Sequence, residues 1–228
     1  MNSKIIIAID AMGGENAPSK NIEGVALFLK KNKNKDDFFF NLFGDEMSIK
    51  SELDKHNISN NFYKIFPSST VVSDEETPLT AIKNSKDSSM WNSINSQIVS
   101  NSNITLSAGN TGVLFVVSRM LLKTIESVSK PALAGLWPNE KNMNVVLDLG
   151  ANVECDDKNL IDFSEMGAAL YKALFPEDTP KVALLNIGSE EIKGTETLKK
   201  SYSKLKEISK YGDFEFNGFI EGSKITHG

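Results

Sequence analysis

Short apolar runs rich in β-branched residues alternate along this chain with longer segments of helical period. The run KIIIAID (residues 4–10) is followed by a glycine-rich loop and then by IEGVALFLKK (residues 22–31), whose apolar residues recur every three or four positions. Continuous apolar runs of this length are typical of strands covered on both faces of a parallel sheet. The alternation therefore predicts an α/β fold, Rossmann-like in the broad sense, with helices on both faces of a mostly parallel sheet.

The same pattern assigns the remaining elements. Strands are predicted over residues 4–10, 38–45, 62–69, the start of 104–125, 131–138, 144–150, 181–188 and 214–222. Helices are predicted over residues 22–31, 46–56, 77–84, 88–101, the rest of 104–125, 161–175 and 196–211. Prolines bound the strand at 131–138, which indicates an edge or antiparallel position. No linker is apparent, so residues 1–228 are predicted to form a single α/β domain. The chain stops after a strand with no closing helix, so we expect it to be incomplete at the C-terminus.

Composition excludes several classes of protein. The 228 residues are 40% hydrophobic and 24% charged, which are ordinary globular values. Cys155 is the single cysteine, so an internal disulfide framework is excluded and a cytoplasmic location is expected. No apolar run approaches the roughly 20 residues of a membrane span. The net charge of -5 argues against general nucleic-acid binding, which requires clustered basic residues.

Four loops that follow predicted strands join glycine to Asp, Asn, Ser or Thr. They are DAMGGENAP, SAGNTG, DLGAN and NIGSEEIKGTE. In open parallel sheets, ligands bind beyond the carboxyl ends of the strands, and the N–H groups at a helix start favour anions. Any one of these loops, taken alone, is better explained as a tight turn with a helix cap. GNTG is neither a phosphate loop of the Walker type nor a dinucleotide fingerprint. Four such loops on one sheet edge predict a phosphate-bearing ligand.

The motifs IAIDAMGGENAP, LSAGNTGVL, VVLDLGANVEC and VALLNIGSEEIKGTE resemble, in order and spacing, those of the bacterial phosphate acyltransferase family known as PlsX. The resemblance implies a three-layer α/β/α Rossmann-like fold related to the phosphotransacetylase and isocitrate dehydrogenase group. It implies transfer of a long acyl chain from acyl carrier protein to inorganic phosphate. The acyl phosphate product would then serve a membrane glycerol-3-phosphate acyltransferase in phospholipid synthesis. The resemblance also implies a homodimer with loose, peripheral membrane association.

This sequence departs from the family pattern in three places. The family's chains continue beyond residue 228, through an Asp-Gly-Phe-x-Gly-Asn motif and helices that take part in dimer and membrane contacts. Glu15 and Asn16 stand where members often carry Asp and His. Lys83 and Lys86 fall where members often carry arginines, and we predict that they form a docking patch for the acidic acyl carrier protein. Arg119 and Lys123 are further candidates for this patch.

The reaction needs positioning and fixed hydrogen-bond donors, because a thioester is already activated and phosphate is already a nucleophile. Asn110, Asn152 and Lys193 are the predicted catalytic residues, with Lys193 neutralising the charge of the phosphate. The predicted phosphate and substrate contacts are Asp10, Gly13, Gly14, Ser107, Gly109, Thr111, Gly112, Asp148, Gly150, Asn186 and Gly188. Asp10 and Asp148 are expected to bind loop amides, with no metal and no cofactor.

Other chemistries stay open at this point. Cys155 lies near the predicted site, but no histidine partner is apparent for it; the two histidines are His56, expected at a surface helix end, and His227. One alternative function is another enzyme of the same fold group, either a phosphotransacetylase or a metal- and nicotinamide-dependent dehydrogenase. A second alternative is a truncated, inactive paralogue that acts as a binding or scaffold protein at the membrane.

Overall fold

The strand β1 (Ile5–Asp10) lies inside a parallel sheet in the order β3-β2-β1-β4. Its neighbours are β2 (Phe38–Gly44), β3 (Tyr63–Pro67) and β4 (Ile104–Leu106). The computed structural model describes residues 4–73, 75–77, 80, 83, 85–99 and 102–227. The chain divides into two units, Met1–Lys123 and Thr124–Gly228, and this sheet belongs to the first.

Helices cover the sheet of the first unit and form two apolar cores. The helices are α1 (Ser19–Lys31), α2 (Glu46–Lys55), α3 (Ser89–Val99) and α4 (Thr111–Leu122). One core joins α1 and α2 to β1 and β2, for example Ile22 and Leu53 to Leu42. The other joins α3 to α4, for example Ile94 to Val117. Each buried aliphatic side chain contributes about 1.5–3 kcal/mol to folding, so the two cores stabilise the packing of these helices in the first unit.

The second unit contains two small sheets and two helices. β5 (Gly135–Pro138) pairs antiparallel with β6 (Met143–Val146), and β7 (Lys181–Asn186) pairs parallel with β8 (Glu215–Glu221). The helices are α5 (Asp157–Leu174) and α6 (Glu196–Ile208), and a 3-10 helix (Gly222–His227) follows β8. The helices α5 and α6 and the strands β7 and β8 share a core that is formed by Ala168, Leu184, Leu205, Phe214 and Phe219.

The predicted α/β class with mostly parallel strands is confirmed. The antiparallel strand predicted at 131–138 is confirmed over Gly135–Pro138 only. The prediction that the four glycine loops share one sheet edge is wrong, because the strands before them belong to three separate sheets of the described residues. The strand predicted at 144–150 ends early, at Val146. The helix predicted from residue 161 begins at Asp157, because Asp156 and Asn159 form a reciprocal capping box there. Most of the helix predicted at 77–84 lies outside the described residues. The single-domain assignment for 1–228 stays a prediction.

In the part of the chain that the structure describes, no helix combines the length and the apolar character needed to span a bilayer.

Candidate active site

The loops after β1 and β4 pack against each other at backbone level. A Cβ added at Gly13 would lie 2.9 Å from Gly109 N and 2.9 Å from Ser107 Oγ. Gly14 has φ +90°, and a Cβ there would lie 2.8 Å from the carbonyl oxygen of Ala108. Contacts this short leave no room for a side chain, so glycine is required at both positions. The predicted site residues of these two loops are thus brought together.

Asp10 lies beneath these loops with only 2% of its surface exposed. Its Oδ2 accepts a hydrogen bond of 2.7 Å from the Ser107 hydroxyl. Burial raises the pKa of the Asp10 carboxyl, and the nearby hydroxyls of Ser89 and Ser107 and the amides of Met12 and Gly13 offset that rise only in part. Within the described residues, Asp10 Oδ1 and Ser89 Oγ have no hydrogen-bond partner. Desolvation therefore outweighs the donors around this carboxyl, and its pKa lies above the ordinary value.

Asn21, on the first turns of α1, shapes the loop after β1. Its Nδ2 donates to the carbonyl oxygens of Ala11 and Gly13 at 2.9 Å and 3.0 Å, and to that of Asp10 at 3.4 Å. The contacts let α1 fix the path of the glycine loop. Sequence reasoning missed this residue, because an asparagine on a helical segment carries no signal that its amide folds back onto the preceding loop.

The loop after β4 ends in a capped helix start. The side-chain Oδ1 of Asn110 accepts from Val113 N at 3.1 Å, and its Nδ2 donates to the carbonyl oxygen of Glu76 at 3.0 Å. Among the described residues, the first-turn amides of Thr111 and Gly112 donate to no protein acceptor. The Thr111 side chain is exposed. These amides, together with the positive end of the helix dipole, form a surface that favours an anion.

The loop after β6 is organised around Asp148, which follows a cis peptide bond from Leu147. Its Oδ1 accepts from Leu133 N at 2.8 Å, and its Oδ2 accepts from the backbone and side-chain nitrogens of Asn152 at 2.8 Å and 2.9 Å. Burial acts to raise the pKa of Asp148, but these donors outweigh it and hold the pKa below its ordinary value. Gly150 is exposed with φ +83°, which places it at the tip of this loop.

The side chain of Asn186 folds the loop after β7. Its Oδ1 accepts from Ile187 N at 2.8 Å, and its Nδ2 donates to the carbonyl oxygen of Lys193 at 3.1 Å. A Cβ at Gly194, where φ is +90°, would lie 2.6 Å from Asn186 Oδ1. The Lys193 side chain is exposed. Asn186 is therefore an internal brace of the loop that displays Lys193, and Gly188 is buried within the same loop.

A second brace joins this loop to α6. The Tyr202 hydroxyl donates to Glu191 Oε1 at 2.5 Å, and Lys206 Nζ lies 3.3 Å from the same oxygen. Hydrogen bonding to Tyr202 and Lys206 lowers the pKa of Glu191. Sequence reasoning missed these contacts, because Glu191 and Tyr202 read as ordinary polar residues on a loop and a helix face.

The other predicted residues have simpler surroundings. Burial raises the pKa of the half-buried Cys155 thiol, and the charges of Asp148 and Asp156 raise it further while Lys130 lowers it. A raised pKa disfavours the thiolate, so the structure gives no support to a cysteine nucleophile. Lys83 and Lys86 are exposed, and their role in docking stays a prediction.

In the described ranges, no three His, Cys, Asp or Glu side chains are grouped closely enough to hold a metal ion.

Comparison with known proteins places the chain in a family. The family model described as "Fatty acid synthesis protein" matches residues 5–228. The chain belongs to the fatty acid synthesis protein family. A protein of Pelagibacter ubique named phosphate acyltransferase is 50% identical over 227 residues, covering 99% of this chain and 66% of its own length. One of Caulobacter vibrioides with the same name is 36% identical and covers 100% of this chain and 62% of its own length. The resemblance drawn from the motifs is confirmed.

Solved structures confirm the fold of this fatty acid synthesis family member. A phosphotransacetylase from Streptococcus pyogenes matches with a TM-score of 0.69 and 12% identity, over 96% of this chain and 68% of the other. The EutD phosphotransacetylase from Staphylococcus aureus matches with a TM-score of 0.65 and 14% identity, over 94% of this chain and 67% of the other. At such identities the likeness concerns the fold alone. The chain spans 62% to 66% of the length of the two relatives above.

Proposed function

We propose that this chain forms the larger part of an enzyme that transfers a long-chain acyl group from the thioester of acyl carrier protein to inorganic phosphate. The observation that carries the proposal is the 50% identity, across 99% of the chain, to a protein named phosphate acyltransferase. The loop geometry supports it, since the start of α4 offers amides suited to an anion. The product would feed phospholipid synthesis through a membrane glycerol-3-phosphate acyltransferase.

The reaction conserves atoms and charge without a metal or cofactor. An oxygen of hydrogen phosphate attacks the carbonyl carbon of the thioester and forms a tetrahedral intermediate. The carbon–sulfur bond then breaks, the thiol of the carrier takes the proton of the phosphate, and acyl phosphate is left. Catalysis consists of holding phosphate against the carbonyl and stabilising the oxyanion with fixed donors.

In the first unit, we assign phosphate binding to the loop between β4 and α4. The amides of Thr111 and Gly112 and the exposed Thr111 hydroxyl would donate to phosphate oxygens. Asn110 caps the helix and would present this first turn in a fixed orientation. Gly109 and Gly13 would allow the two loops to approach closely enough to shape the cradle.

In the second unit, we assign supporting roles to the loops after β6 and β7. Lys193 is exposed on a loop braced by Asn186 and would neutralise phosphate charge. Asn152 and Asp148 hold each other in a dense hydrogen-bond network at the loop that ends at Gly150. Such a rigid loop is suited to orienting a reacting carbonyl.

The remaining parts of the proposal concern partners. Lys83 and Lys86 would meet the acidic carrier protein, while homodimer formation and peripheral membrane contact follow from the family resemblance alone. Surface lysines of this kind change association rates more than affinity, and their effect falls with added salt.

The test is an assay of thioester loss from palmitoyl-acyl carrier protein, with acyl phosphate trapped by hydroxylamine. The protein should be assayed both as this chain and as the full-length protein that contains it. We expect turnover that requires phosphate and is unchanged by EDTA. Turnover restored only by Mg²⁺ after EDTA would contradict the metal-free mechanism. Acetyl-CoA replaces the substrate in a parallel reaction, and its use would favour a phosphotransacetylase instead.

Lys193→Ala is the sharpest variant for this assay, with Lys181→Ala as its control. Both lysines are exposed, but Lys181 begins β7 while Lys193 lies in the loop that follows the other end of the strand. K193A should raise the phosphate concentration required for half-maximal rate by about 10-fold or more, while K181A should leave it unchanged. An unchanged phosphate dependence in K193A would remove this lysine from the site. Carrier-protein binding without turnover by the full-length protein would support the scaffold alternative.

A further inference from the structure

A hydroxyl group links the loop that we assign to phosphate to the buried carboxyl at the end of β1. Ser107 Oγ donates to Asp10 Oδ2 at 2.7 Å and accepts from Gly109 N at 3.2 Å. A serine hydroxyl has a single proton, and here that proton is directed inward to the carboxyl. Ser107 is therefore not available to donate to a phosphate while this bond is formed, so its part in the site is to shape the loop.

Asp10 is the fixed end of this chain of contacts. It is the last residue of β1, it is 2% exposed, and its main-chain oxygen is in reach of Asn21 Nδ2 at 3.4 Å. A Cβ on Gly13 would lie 2.5 Å from its Oδ2, so the loop after β1 closes directly over the carboxyl. A group held this firmly by the sheet can orient a hydroxyl but is poorly placed to touch a ligand.

We propose that Asp10 is a positioning residue, which acts through Ser107 to set the β4–α4 loop and with it the anion-binding start of α4. The inference refines the proposed function by giving Asp10 and Ser107 an indirect role in phosphate binding. The chain of contacts runs from Asp10 Oδ2 to the Ser107 hydroxyl and then to the Gly109 amide, which is two residues before Thr111. The amides of Thr111 and Gly112, which donate to no acceptor among the described residues, remain for the anion.

Two features of Asp10 indicate which substitution preserves this role. Ser107 needs only an acceptor, and an asparagine in place of Asp10 retains one. The Ser89 hydroxyl lies near the Asp10 carboxyl, and neither Asp10 Oδ1 nor Ser89 Oγ has a hydrogen-bond partner among the described residues. An amide NH₂ in place of Oδ1 would therefore displace no donor and could donate to Ser89. Asp10→Asn should therefore retain the contact with Ser107, whereas Asp10→Ala removes it.

The first experiment measures amide hydrogen exchange at Gly109 by NMR in this chain and does not depend on activity. Asp10→Ala and Ser107→Ala should each speed exchange at Gly109 by about 10-fold, and the double variant should show no further increase. Asp10→Asn should stay within about 3-fold of the unsubstituted chain. The Val117 amide in α4 is the internal reference, and Ser93→Ala is a matched control that removes another buried hydroxyl of this unit.

The second experiment measures the phosphate KM and kcat of the full-length protein. D10A and S107A should raise the phosphate KM by about 10- to 100-fold with kcat changed less than about 3-fold, and D10N should restore KM. Additive effects in the double variant, or D10N as impaired as D10A, would overturn the positioning role. Should D10A fail to fold, S107A alone decides, since an unchanged KM with Gly109 protection intact contradicts the proposal. Absence of turnover in the unsubstituted protein would refute the proposed function. The hydrogen-exchange experiment would still show whether Asp10 and Ser107 together fix the Gly109 amide.

Discussion

Asp10 and Asp148 occupy equivalent places in the sequence pattern, yet the structure gives them opposite electrostatics. Each follows a β-branched strand and precedes a glycine-containing loop. Burial raises the pKa of Asp10, whose Oδ1 has no partner among the described residues. Burial also acts to raise the pKa of Asp148, but its two carboxylate oxygens accept hydrogen bonds from Leu133 and Asn152, and the pKa is lowered overall. The comparison teaches that the balance between desolvation and hydrogen-bond donors, and not the place of a carboxylate in a motif, sets the direction of its pKa shift, since Asp10 is far more buried than Asp148.

The largest effect on the free energy of unfolding is expected from replacing the glycines that follow these two acids, Gly13 and Gly150, with alanine. Gly13→Ala would force a Cβ to 2.5 Å from Asp10 Oδ2 and should destabilise the first unit by about 3 kcal/mol. At Gly150→Ala a Cβ would meet nothing within 4 Å, so only the strain of φ +83° remains, about 1 kcal/mol. Urea unfolding measures both. Gly24→Ala in α1 is the control, and it should stabilise the chain by about 0.5–1 kcal/mol. Equal losses of unfolding free energy in Gly13→Ala and Gly150→Ala would contradict the difference in packing between the two loops.

The next largest change in unfolding free energy is expected when each aspartate is replaced by asparagine. Both oxygens of Asp148 accept backbone N–H groups, so Asp148→Asn must turn its NH₂ toward one of them and should lose about 2 kcal/mol of unfolding free energy. Asp10 accepts at Oδ2 alone among the described contacts, so Asp10→Asn should change stability by less than about 1 kcal/mol at pH 7. Chemical unfolding at equal protein concentration compares the two. A D10N variant less stable than D148N would mean that the charge of Asp10 is required for folding.

The pH dependence of stability should show the two acids acting in opposite directions. Between the ordinary value of 3.8 and its raised pKa, folded Asp10 keeps a proton that the unfolded chain has lost, so stability falls as pH rises through that window. Below 3.8 and toward its lowered pKa, folded Asp148 stays ionised while the unfolded chain takes up a proton, so stability is lost as pH falls. Unfolding curves collected at a series of pH values test this. D10N should flatten the dependence of unfolding free energy on pH above 3.8, and D148N should flatten the dependence below 3.8. If a variant leaves its slope unchanged, that slope is caused by other titrating groups.

The smallest effects should come from removing one side-chain donor from each acid. Ser107→Ala should raise the pKa of Asp10 further, because the hydroxyl that opposes burial is lost. Asn152→Ala should raise the pKa of Asp148 toward its ordinary value, but the backbone donors of Leu133 and Asn152 would remain. Carboxyl ¹³C shifts followed by NMR titration report both values. A pKa that moves downward in either variant would show that the donor is not the cause assigned to it.

Much of the local structure could be predicted from the sequence. The apolar run 4–10 and the prolines around 131–138 each depend on neighbours a few residues away, and the structure confirms the strands that they predict. The capping box at Asp156 was missed even though its residues are three apart, because the apolar period of α5 was judged to begin later. The order and spacing of the four glycine loops were enough to identify the family.

The functional details of the site depend on residues that are distant in sequence. Ser107 and Asp10 are 97 positions apart and share one hydrogen bond. Asn21 is 10 positions from Ala11, and Tyr202 is 11 positions from Glu191, yet no local pattern predicts that either pair meets. These contacts follow from how the sheet and helices pack, and only a folded chain shows which polar groups are satisfied.

The sequence by itself determined the α/β class, the strand-end positions of the glycine loops and the family to which the chain belongs, because those depend on periodicity and on short motifs. Only the tertiary structure decided that Asp10 is buried beneath its loop, that the Ser107 proton points inward and that Asp148 is surrounded by donors. The physical reason is that a carboxylate's charge state depends on desolvation and on the donors around it, and packing sets both.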